Sequence, residues 1–588
     1  MKRCYLGLAN TFHDSAIAVV NDAGELVFAE ATERHIQSKR AVNVMPDAFL
    51  RTGEILQEYC SDADEIVPAI SWSEGYQRAL PDQLRTLYDS REAITTGYGQ
   101  IPEFLKRRFD TSAYVIRSQL RSMLHPGYGL EFECSRLQLK GVLQAVRKYD
   151  HHLTHAAAGC FSSPYEEAVC AVVDGFGEER AFACFSYVDG RLSEIELPAV
   201  DRFERDESDV SLGHFYEDVC DACGFGFMKG EEWKVMGLAP YGERDESLLS
   251  LMSQMIRVDG LAFEGDNTFG LMQARYRLHH LRRRPEQAPI EARNIAYAGQ
   301  YVFTEVLAKF LNALYETKAA PNLVLGGGCA LNSSANGQIL ERTAFDSLHV
   351  FCAPADDGNA VGAALLAYQQ DHPQRRRVPC VQIPYLGSAM STEALGHLRR
   401  FGSAKNLTEC GDSAPERAAQ LLAEGRIVGW IQGRAEFGPR ALGNRSILAD
   451  PRSAAIKEMI NSRVKFREEF RPFAPSILDE FGAQYFENYQ CSPYMERTLK
   501  FKPEVIARVP GAVHVDGTGR LQSVRREWNE KYYRLIRHFH DLTGVPLIIN
   551  TSFNIMGKPI VHSVEDAVAV FYTSGLDAVF IEDLLITK

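Results

Sequence analysis

Long apolar runs are missing from the sequence. No stretch of about 18 consecutive apolar residues occurs, and a membrane-spanning helix needs that length. The N-terminal segment, MKRCYLGLANTFHDSAIAVV, is interrupted by polar side chains and lacks the small-residue cleavage motif of a signal peptide. These absences predict a cytoplasmic protein with no membrane partner.

A surplus of basic residues is missing as well. The 64 lysines and arginines are outnumbered by 77 aspartates and glutamates, and the formal net charge is -13. This balance argues against nucleic acid or anionic membranes as partners, because both attract positive surfaces. A local basic pocket inside an acidic shell is compatible with the composition, so small anionic ligands are not excluded.

The 13 cysteines form no dense framework of the kind that staples small secreted domains. Their scatter predicts reduced thiols in a cytosolic enzyme. Cys220 and Cys223 are close in sequence, but no second pair completes a tetrahedral metal site. We predict that they are buried free thiols, with metal or redox use as the alternative.

The length of 588 residues, with 45% apolar and 24% charged residues, is typical of a soluble protein with a large core and two to four domains. Residues 369–387, QQDHPQRRRVPCVQIPYLG, combine prolines and consecutive arginines with little helical periodicity, which indicates a domain boundary. Helical and strand patterns alternate again afterwards and predict a second α/β domain of roughly 200 residues.

One strand pattern occurs twice in the first domain. In both copies an apolar strand is followed by a second strand, a tight turn and a third strand. The repeated segments are 5–9, 15–20 and 25–31, and then 168–174, 181–188 and 191–197. The repetition predicts a duplicated lobe with a cleft between its halves.

A strand that runs into glycines occupies residues 321–332, PNLVLGGGCALN, and we predict that a helix begins near Asn332. Glycines at such a junction free backbone N–H groups to hold phosphate. A tight strand-to-helix turn without a ligand is the alternative.

The segment HHLTH contains histidines at helical spacing. His151 and His155 are four residues apart, so a helix places both rings on one face, where they can share one cation. A third ligand must come from elsewhere, and Asp356 and Asp357, which end an apolar strand, are the candidates. The alternative is an ordinary polar patch on a helix surface.

Ten motifs follow one another in a specific order. They are GLANTFHDSA (7–16), HHLTHAAAG (151–159), VVDGFGE (172–178), GEEWKVMGLAPYG (230–242), GGGCALN (326–332), DDGNAVGAAL (356–365), GRAEFGPRALGNRSIL (433–448), REEFRPFAPSIL (467–478), DGTGRLQSV (516–524) and NTSFNIMGKPIV (550–561). In this order they resemble the carbamoyltransferases of natural-product and nodulation-factor modification, and the resemblance covers nearly the whole chain. The first domain is also similar to the universal tRNA threonylcarbamoyladenosine synthase.

The resemblance implies an α/β fold made of two parts. A duplicated actin/hexokinase/Hsp70-like domain is expected at residues 1–372, and it would carry the metal and nucleotide site. A YrdC-like α/β domain is expected at residues 373–588.

The resemblance also implies that His151, His155 and Asp356 are the ligands of a divalent metal, with Asp357 as the fallback. A mixed set of imidazole and carboxylate ligands suits Fe²⁺, Mn²⁺ or Zn²⁺, and the family implies iron.

The remaining site residues of the first domain follow from the same comparison. His13 is suited to act as a general base for an alcohol. The alternative is a histidine of the turn whose hydrogen bonds are all made within the fold. Asp174 and Lys39 are the other expected catalytic residues, and Asp174 opens a phosphate hairpin. The expected nucleotide-binding residues are Gly175, Gly177, Lys234, Gly327, Gly328 and Asn332.

The second domain contains a basic segment in an otherwise acidic chain. Between Arg434 and Arg471 there are nine lysines or arginines and five acidic residues. Arginine forks suit phosphate and carboxylate oxygens, so we expect an anionic ligand, with a solvated charged helix as the alternative. The YrdC-like resemblance implies that carbamoyl phosphate and ATP are held by Arg440, Lys465, Arg520 and Ser552, and we add Arg445 and Asn550.

We therefore interpret the chain as an ATP-dependent O-carbamoyltransferase of secondary metabolism. The second domain would form carbamoyl-adenylate from carbamoyl phosphate and Mg²⁺-bound ATP, and the first would transfer the carbamoyl group to a hydroxyl of a small natural product. The alternatives are a tRNA threonylcarbamoyl-type transferase and a non-catalytic, actin-like ATP-binding module. The residues leave open the acceptor, whose pocket we expect segments 98–130 and 201–214 to shape, and whether the chain forms a homodimer.

Overall fold

The computed structural model describes residues 1–48, 51–98, 103–178, 180–196, 210–226, 229–266, 268–375, 383–402, 406–555 and 557–588. Within them the first lobe has a mixed sheet with the strand order β3-β2-β1-β4-β5, and β6 also pairs with β4. Its strands are β1 (Arg3–Ala9), β2 (Ala16–Val20), β3 (Leu26–Ala31), β4 (Glu65–Ile70), β5 (Val142–Leu143) and β6 (Arg147–Lys148).

The second lobe repeats this arrangement. Its sheet has the order β13-β12-β7-β8-β9, so β7, β8, β9, β12 and β13 stand where β1, β2, β3, β4 and β5 stand in the first sheet. Its strands, with a separate hairpin of β10 and β11, are β7 (Glu167–Val173), β8 (Phe182–Val188), β9 (Arg191–Glu194), β10 (Arg257–Asp259), β11 (Ala262–Glu264), β12 (Asn322–Gly326) and β13 (Ser347–Val350). In each lobe the inner strand has one antiparallel and one parallel neighbour. The predicted duplication and the actin/hexokinase/Hsp70-like class are confirmed; the last repeated segment extends to residue 197, which lies outside the described residues.

The helices of the two lobes surround these sheets. They are α1 (Thr32–Ile36), α2 (Arg51–Tyr59), α3 (Glu74–Tyr98), α4 (Glu103–Leu124), α5 (Tyr128–Leu137), α6 (His151–Ser162), α7 (Leu212–Ala222), α8 (Trp233–Leu238), α9 (Glu246–Met255), α10 (Thr268–His280), α11 (Arg293–Thr317), α12 (Ser333–Asn336), α13 (Ile339–Arg342) and α14 (Asn359–Asp371). Among the described residues, no helix combines the length and apolar character needed to cross a bilayer.

Helices α6 and α14 form the layer between the two sheets. Helix α14 packs on β1 and β2, α6 packs on β7 and β12, and the two helices pack on each other. Small residues make these approaches feasible, because a Cβ on Gly7 would lie 1.7 Å from the carbonyl oxygen of Ala360 and one on Gly362 would lie 1.9 Å from that of Thr154. Backbone therefore meets backbone at both crossings, which sets how closely the lobes approach.

The remaining chain forms an α/β domain on one large sheet with the order β14-β22-β21-β15-β16-β20-β17-β19-β18. Its strands are β14 (Leu407–Glu409), β15 (Val428–Ile431), β16 (Arg445–Ala449), β17 (Ala474–Leu478), β18 (Arg497–Lys500), β19 (Thr518–Val524), β20 (Leu547–Ser552), β21 (Ala578–Ile581) and β22 (Leu584–Thr587). Its helices are α15 (Thr392–Phe401), α16 (Ala414–Ala423), α17 (Ile456–Ile460), α18 (Gly482–Tyr485), α19 (Pro503–Ile506), α20 (Glu530–Thr543) and α21 (Val564–Thr573). The α/β class of this second part is as predicted, and its likeness to YrdC stays a prediction.

Side chains join this domain to the first lobe. The guanidinium of Arg34 donates to the carbonyl of Gly438 at 2.7 Å, and Arg434 donates to the carbonyl of Val27 at 2.8 Å. The predicted boundary segment, 369–387, lies partly outside the described residues, so the division at residue 372 stays a prediction.

The cysteines depart from the expectation at one position. Cys4 at the start of the first sheet and Cys60 after α2 are paired as a disulfide with their Cα atoms 5.8 Å apart, so the prediction of uniformly reduced thiols is wrong for this pair. The reason is tertiary, since the parallel pairing of β1 with β4 brings the segment before β4 beside β1. Cys220 and Cys223 are buried free thiols, as predicted.

The helix crossing yields a stability prediction. We expect Gly362→Ala to destabilise the protein by about 1–3 kcal/mol, because the added methyl group meets the backbone of α6 and one helix must move. Urea unfolding measures the change. Gly396→Ala is the matched control, because its Cβ would meet nothing within 4 Å and alanine raises helix propensity on the exposed face of α15. Equal unfolding midpoints for the two variants would contradict the close approach.

Candidate active site

Four side chains converge between the lobes. One ligand atom from each of His151, His155, Asp174 and Asp356 lies within 4.8 Å of the others. The two histidine Nε2 atoms are 3.2 Å apart. Oδ2 of Asp174 is 3.5 Å from Nε2 of His151 and 3.4 Å from that of His155, and Oδ1 of Asp356 is 3.6 Å from both. Two imidazoles and two carboxylates suit Fe, Mn or Zn, so the cluster fits one divalent cation.

Each member stands at the end of a buried element. Asp150 begins α6 by accepting a hydrogen bond from the N–H of Leu153 at 2.8 Å, which places His151 in the first turn. Asp174 directly follows β7, and Asp356 opens the short 3-10 turn before α14. The crossing of α6 and α14 therefore determines how the ligands meet.

Asp174 has a second position that the sequence interpretation missed. The motif assigned Asp174 to catalysis and to a phosphate hairpin. The structure also places it with His151, His155 and Asp356 in the group that could hold a metal ion, which we call the metal-ligand cluster. The available signal was its location at the carboxyl end of an inner strand, where ligands of α/β sheets bind. Asp357, the fallback ligand, is absent from this group of described residues, and burial together with Asp14 raises its pKa to about 8.

Neighbouring groups hold the two imidazoles in place. The ring of Trp72 stacks on that of His151 with centroids 4.2 Å apart and an interplanar angle of 21°. The side-chain nitrogen of Asn359 lies 3.3 Å from Nδ1 of His151 and 3.1 Å from Nε2 of His155. The contact at Nδ1 of His151 orients that ring and leaves its Nε2 for an ion, whereas the contact at Nε2 of His155 has to be released before an ion binds there.

The cluster carries more negative than positive charge without a cation. Burial opposes the protonation of His155, but Asp174 and Asp356 outweigh it and raise its pKa to about 9. Although burial disfavours its charged form, hydrogen bonds from His151 and His155 hold the pKa of Asp174 well below its usual range. A proton on His155 therefore stands in for the charge that a metal ion would supply.

His13 lies beside this cluster and lines the same cavity. Its Nδ1 is 2.9 Å from Oδ2 of Asp14 and 3.6 Å from Oδ2 of Asp356. Arg40, which the sequence interpretation did not select, donates to Asp14 through Nε at 3.1 Å and Nη2 at 3.0 Å. Asp14 and Arg40 have φ angles of 54° and 62°, and such rare backbone conformations occur at functional sites.

The predicted phosphate loops meet at Asp174. The backbone N–H groups of Gly175 and Gly328 donate to its Oδ1 at 2.8 Å and 3.1 Å. Gly327 has a φ of 84°, and a Cβ there would lie 2.3 Å from the carbonyl oxygen of Val173. Gly177 faces His152, whose ring lies 2.6 Å from the position of an added Cβ.

Lys234 and Asn332, predicted to bind nucleotide, line the cavity but already have partners. The amino group of Lys234 is 2.8 Å from a carboxylate oxygen of Glu231 and 2.8 Å from one of Glu468. The side chain of Asn332 accepts from the N–H of Ala335 at 3.1 Å and so caps α12, as the predicted helix start required. A ligand at either residue has to share or exchange these contacts.

A group of cations from the C-terminal domain lines the same cavity. Burial lowers the pKa of Arg440 to about 10. Burial and the neighbouring arginines also lower the pKa values of Lys465 and Arg520. The members that line the cavity are Arg440, Lys465, Arg467, Arg471 and Arg520, and Lys39 of the first lobe lines it as well. We call these six residues the cation group. Arg467 and Arg471 were not selected from the sequence, although the basic motif contains both.

Polar side chains fix the position of Lys465. Its amino group donates to the carbonyl of Ser552, to Oδ1 of Asn554 at 2.7 Å and to the carbonyl of Asn554 at 3.1 Å. Asn550 donates from Nδ2 to Oγ of Ser476 at 3.0 Å, and its buried Oδ1 has no hydrogen-bond partner among the described residues. The partners of Lys465, which belong to Ser552 and Asn554, are neutral and leave its positive charge uncompensated.

Arg445 differs from the prediction. It is fully buried in β16, and its guanidinium donates to the backbone carbonyls of Gln432, Asn444, Ser388 and Gly433 at 2.8–3.1 Å. It is absent from the residues that line the cavity. The structure therefore gives Arg445 a role in holding loops together, and its predicted contact with carbamoyl phosphate or ATP is not supported.

One continuous cavity of about 2160 Å³ connects the two groups of residues. Asp174 and Asp356 face it from the lobes, and the C-terminal cations face it from the other domain. The site residues predicted from the sequence that line this cavity are His13, Lys39, Asp174, Gly175, Gly177, Lys234, Gly328, Asn332, Asp356, Arg440, Lys465, Arg520, Asn550 and Ser552.

Two family models match the chain in sequence order. The model described as Carbamoyltransferase N-terminus matches residues 4–365, and the model described as Carbamoyltransferase C-terminus matches residues 419–588. The chain belongs to the carbamoyltransferase family. The matched segments contain both the metal-ligand cluster and the cation group of this carbamoyltransferase.

Several curated proteins are similar to this carbamoyltransferase over nearly its whole length. Nodulation protein NolNO of Sinorhizobium fredii is 33% identical, covering 99% of this chain and 80% of that protein. Nodulation protein U of Rhizobium tropici is 27% identical, covering 98% of this chain and 95% of that protein. Protein sll1178 of Synechocystis is 32% identical, covering 99% and 96% of the two chains.

Solved structures resemble the carbamoyltransferase at low identity. Full-length HypF in its phosphate- and nucleotide-bound form is 12% identical with a TM-score of 0.36, over 62% of this chain and 55% of that chain. A ROK hexokinase from Thermus thermophilus is 14% identical with a TM-score of 0.28, over 63% and 100% of the two chains. Similarity at this level says nothing about the ligand or reaction of this carbamoyltransferase.

The ligand cluster predicts metal content. We expect the purified carbamoyltransferase to bind one divalent ion per chain, and His155→Ala to weaken binding by at least about a hundredfold, since even partners behind the ligands contribute up to that factor. Elemental analysis after dialysis against defined Fe²⁺, Mn²⁺ or Zn²⁺ measures this. His152→Ala is the control, because His152 lies on the same helix outside the cluster, and equal loss in both variants would contradict the assignment.

The raised pKa of His155 predicts how metal affinity depends on pH. The ion competes with the proton that His155 holds below about pH 9, so the apparent affinity should rise about tenfold per pH unit up to that value and level off above it. Competition with a calibrated chelator between pH 6 and 10 measures the dependence. An apparent affinity that does not change with pH below pH 9 would show that the metal does not displace the proton of His155.

Proposed function

We propose that this carbamoyltransferase is an ATP-dependent O-carbamoyltransferase that works in two steps at the two ends of one cavity. The single observation that carries the proposal is the continuity of that cavity between the metal-ligand cluster and the cation group. The family establishes carbamoyl transfer, and the ATP dependence and the oxygen acceptor are our inferences.

The first step takes place among the cations of the C-terminal domain. Water attacks the phosphorus of carbamoyl phosphate, the bond from that phosphorus to the carbamoyl oxygen breaks, and carbamate and inorganic phosphate form. A carbamate oxygen then attacks the α-phosphorus of ATP, a new P–O bond forms, and pyrophosphate leaves with the electron pair of the broken P–O bond. The half-buried arginines Arg440 and Arg520 neutralise the phosphate oxygens, and arginine forks do this with defined geometry. The ammonium of Lys465 adds a fixed positive charge.

The product, carbamoyl-adenylate, stays inside the cavity between the steps. Carbamoyl phosphate and its adenylate react with water, so an enclosed route protects them. Lys39 lines the cavity between the domains and offers positive charge to the anionic phosphate on the way, whereas Lys234 is already paired with Glu231 and Glu468.

The second step takes place at the metal-ligand cluster. The acceptor hydroxyl attacks the carbamoyl carbon, the bond from that carbon to the adenylate oxygen breaks, and AMP leaves. His13 takes the proton of the hydroxyl at Nε2, because its Nδ1 faces the carboxylate of Asp14 at 2.9 Å. His151, His155, Asp174 and Asp356 would hold a divalent cation, which would supply Lewis-acid polarisation of the carbamoyl or phosphate oxygens.

We propose that the acceptor binds beside helices α3 and α4. Both helices line the cavity on faces with hydroxyl and amide side chains, among them Gln83, Ser90, Ser112 and Gln119. Such a wall offers hydrogen bonds to a small alcohol. Segment 98–130, predicted to shape the acceptor pocket, includes α4, whereas residues 201–209 of the second predicted segment lie outside the described residues.

The separation of the two steps predicts opposite phenotypes. We expect His13→Asn to lower carbamoyl transfer at least about a hundredfold, because it loses the general base, while carbamoyl phosphate-dependent exchange of labelled pyrophosphate into ATP continues. Arg520→Met should lose the exchange. Transfer is measured as ¹⁴C-carbamoyl incorporation into a panel of aminoglycosides, sugars, macrolactones and tRNA.

A mixture of the two variants serves as the control for the shared cavity. Because the adenylate is passed within one chain, mixing His13→Asn with Arg520→Met should restore little transfer. Full restoration would show that the intermediate diffuses freely between molecules, and label on tRNA alone would favour the threonylcarbamoyl-type alternative.

A further inference from the structure

The segment that follows Lys465 belongs to the C-terminal domain but is held by the second lobe. A short π-helix, Asn461–Lys465, ends at Phe466, whose φ is 50°. Residues 467–473 then cross to the second lobe and carry Arg467 and Arg471 along the cavity wall. Short π-helical turns occur frequently at functional sites.

Apolar contacts anchor the segment in the second lobe. Phe470 is 7% exposed and lies in the hydrophobic core that also contains Phe225 and Val235. The rings of Phe470 and Phe225 have centroids 6.2 Å apart. Pro472 packs against Gly237 of α8, where an added Cβ would come within 3.2 Å of the proline ring. The position of the segment is therefore determined by α8 and its neighbours.

Charged contacts complete the attachment. Glu468 accepts from the amino group of Lys234 at 2.8 Å and from Nη1 of Arg471 at 3.2 Å. The guanidinium carbon of Arg471 lies 3.9 Å from the centroid of the Trp233 ring. A carboxylate and an indole therefore hold one arginine between the domains.

The indole has a different effect on Arg471 from that of a second carboxylate. Stacking on an aromatic face fixes the plane of a guanidinium without neutralising its charge. Nε of Arg471 is buried and has no hydrogen-bond partner among the described residues. Burial also lowers the pKa of Arg471 to about 10. The group is thus oriented but still able to receive an anion from the cavity.

We infer that Trp233, a residue of the second lobe, is a positioning residue of the anion site in the C-terminal domain and acts through Arg471. The inference rests on the proposed function, in which this site binds carbamoyl phosphate and ATP. It means that the adenylate-forming site is complete only when the segment 467–473 is docked on α8.

Substitution of the indole tests the inference. We expect Trp233→Ala to raise the dissociation constant or the KM of carbamoyl phosphate or ATP about tenfold, with the kcat of pyrophosphate exchange within about threefold of the parent value. Trp233→Phe should restore most of the affinity, because a phenyl ring also stacks on a guanidinium. Calorimetry measures binding without turnover, and pyrophosphate exchange measures kinetics.

Trp528 provides the matched control. It stacks under Arg525, whose guanidinium carbon is 4.5 Å from its ring centroid, and it is not among the cavity-lining residues. Trp528→Ala should leave affinity and exchange unchanged. An equal loss in Trp528→Ala and Trp233→Ala would indicate general destabilisation and would overturn the inference.

A double-mutant cycle tests the route through Arg471. Because Trp233 acts through Arg471, adding Trp233→Ala to Arg471→Met should cause no further loss of affinity. A further tenfold loss in that background would show that the indole contacts the ligand directly and would overturn the inference. If the parent protein binds both anions but supports no exchange, the proposed first step fails while the binding comparison still decides the role of Trp233.

Discussion

The close crossing of α6 and α14 is the constraint on which the rest of the structure depends. Gly362 lets α14 touch the backbone of α6, and Gly7 lets it touch β1. This contact brings His151 and His155 from one helix next to Asp356 from the turn before the other. A larger residue at either glycine would separate the helices, and the ligand atoms need to stay within a few ångströms to share one ion.

The charge of the site contrasts with the charge of the chain. The protein has a net charge of -13, yet one end of the cavity described above is lined by arginines and lysines that have few carboxylate partners. Burial lowers the pKa values of these groups, which shows that their positive charge is costly without a ligand. An anionic ligand would relieve this cost, and the net negative charge of the chain opposes unspecific binding of larger polyanions.

Both domains contribute side chains to one cavity. Phe470 belongs to the C-terminal segment and is buried in the core of the second lobe. Glu468 links Lys234 to Arg471 across the same boundary. Because these contacts lie in the cavity wall, we infer that docking of the domains and assembly of the anion site are the same structural event. In the proposed function, this shared cavity carries the reactive intermediate from one end to the other.

Much of the chemistry could be predicted from the sequence because it depends on local spacing and motif order. The spacing of His151 and His155 suffices to place two rings on one helix face, and the repeated strand pattern predicts the duplicated lobe. The sequence could not show that Asp174 joins the ligand cluster, that Arg445 holds backbone carbonyls instead of a ligand, or that Cys4 reaches Cys60. Those outcomes depend on which strand ends and loops meet in space, and only tertiary packing decides that.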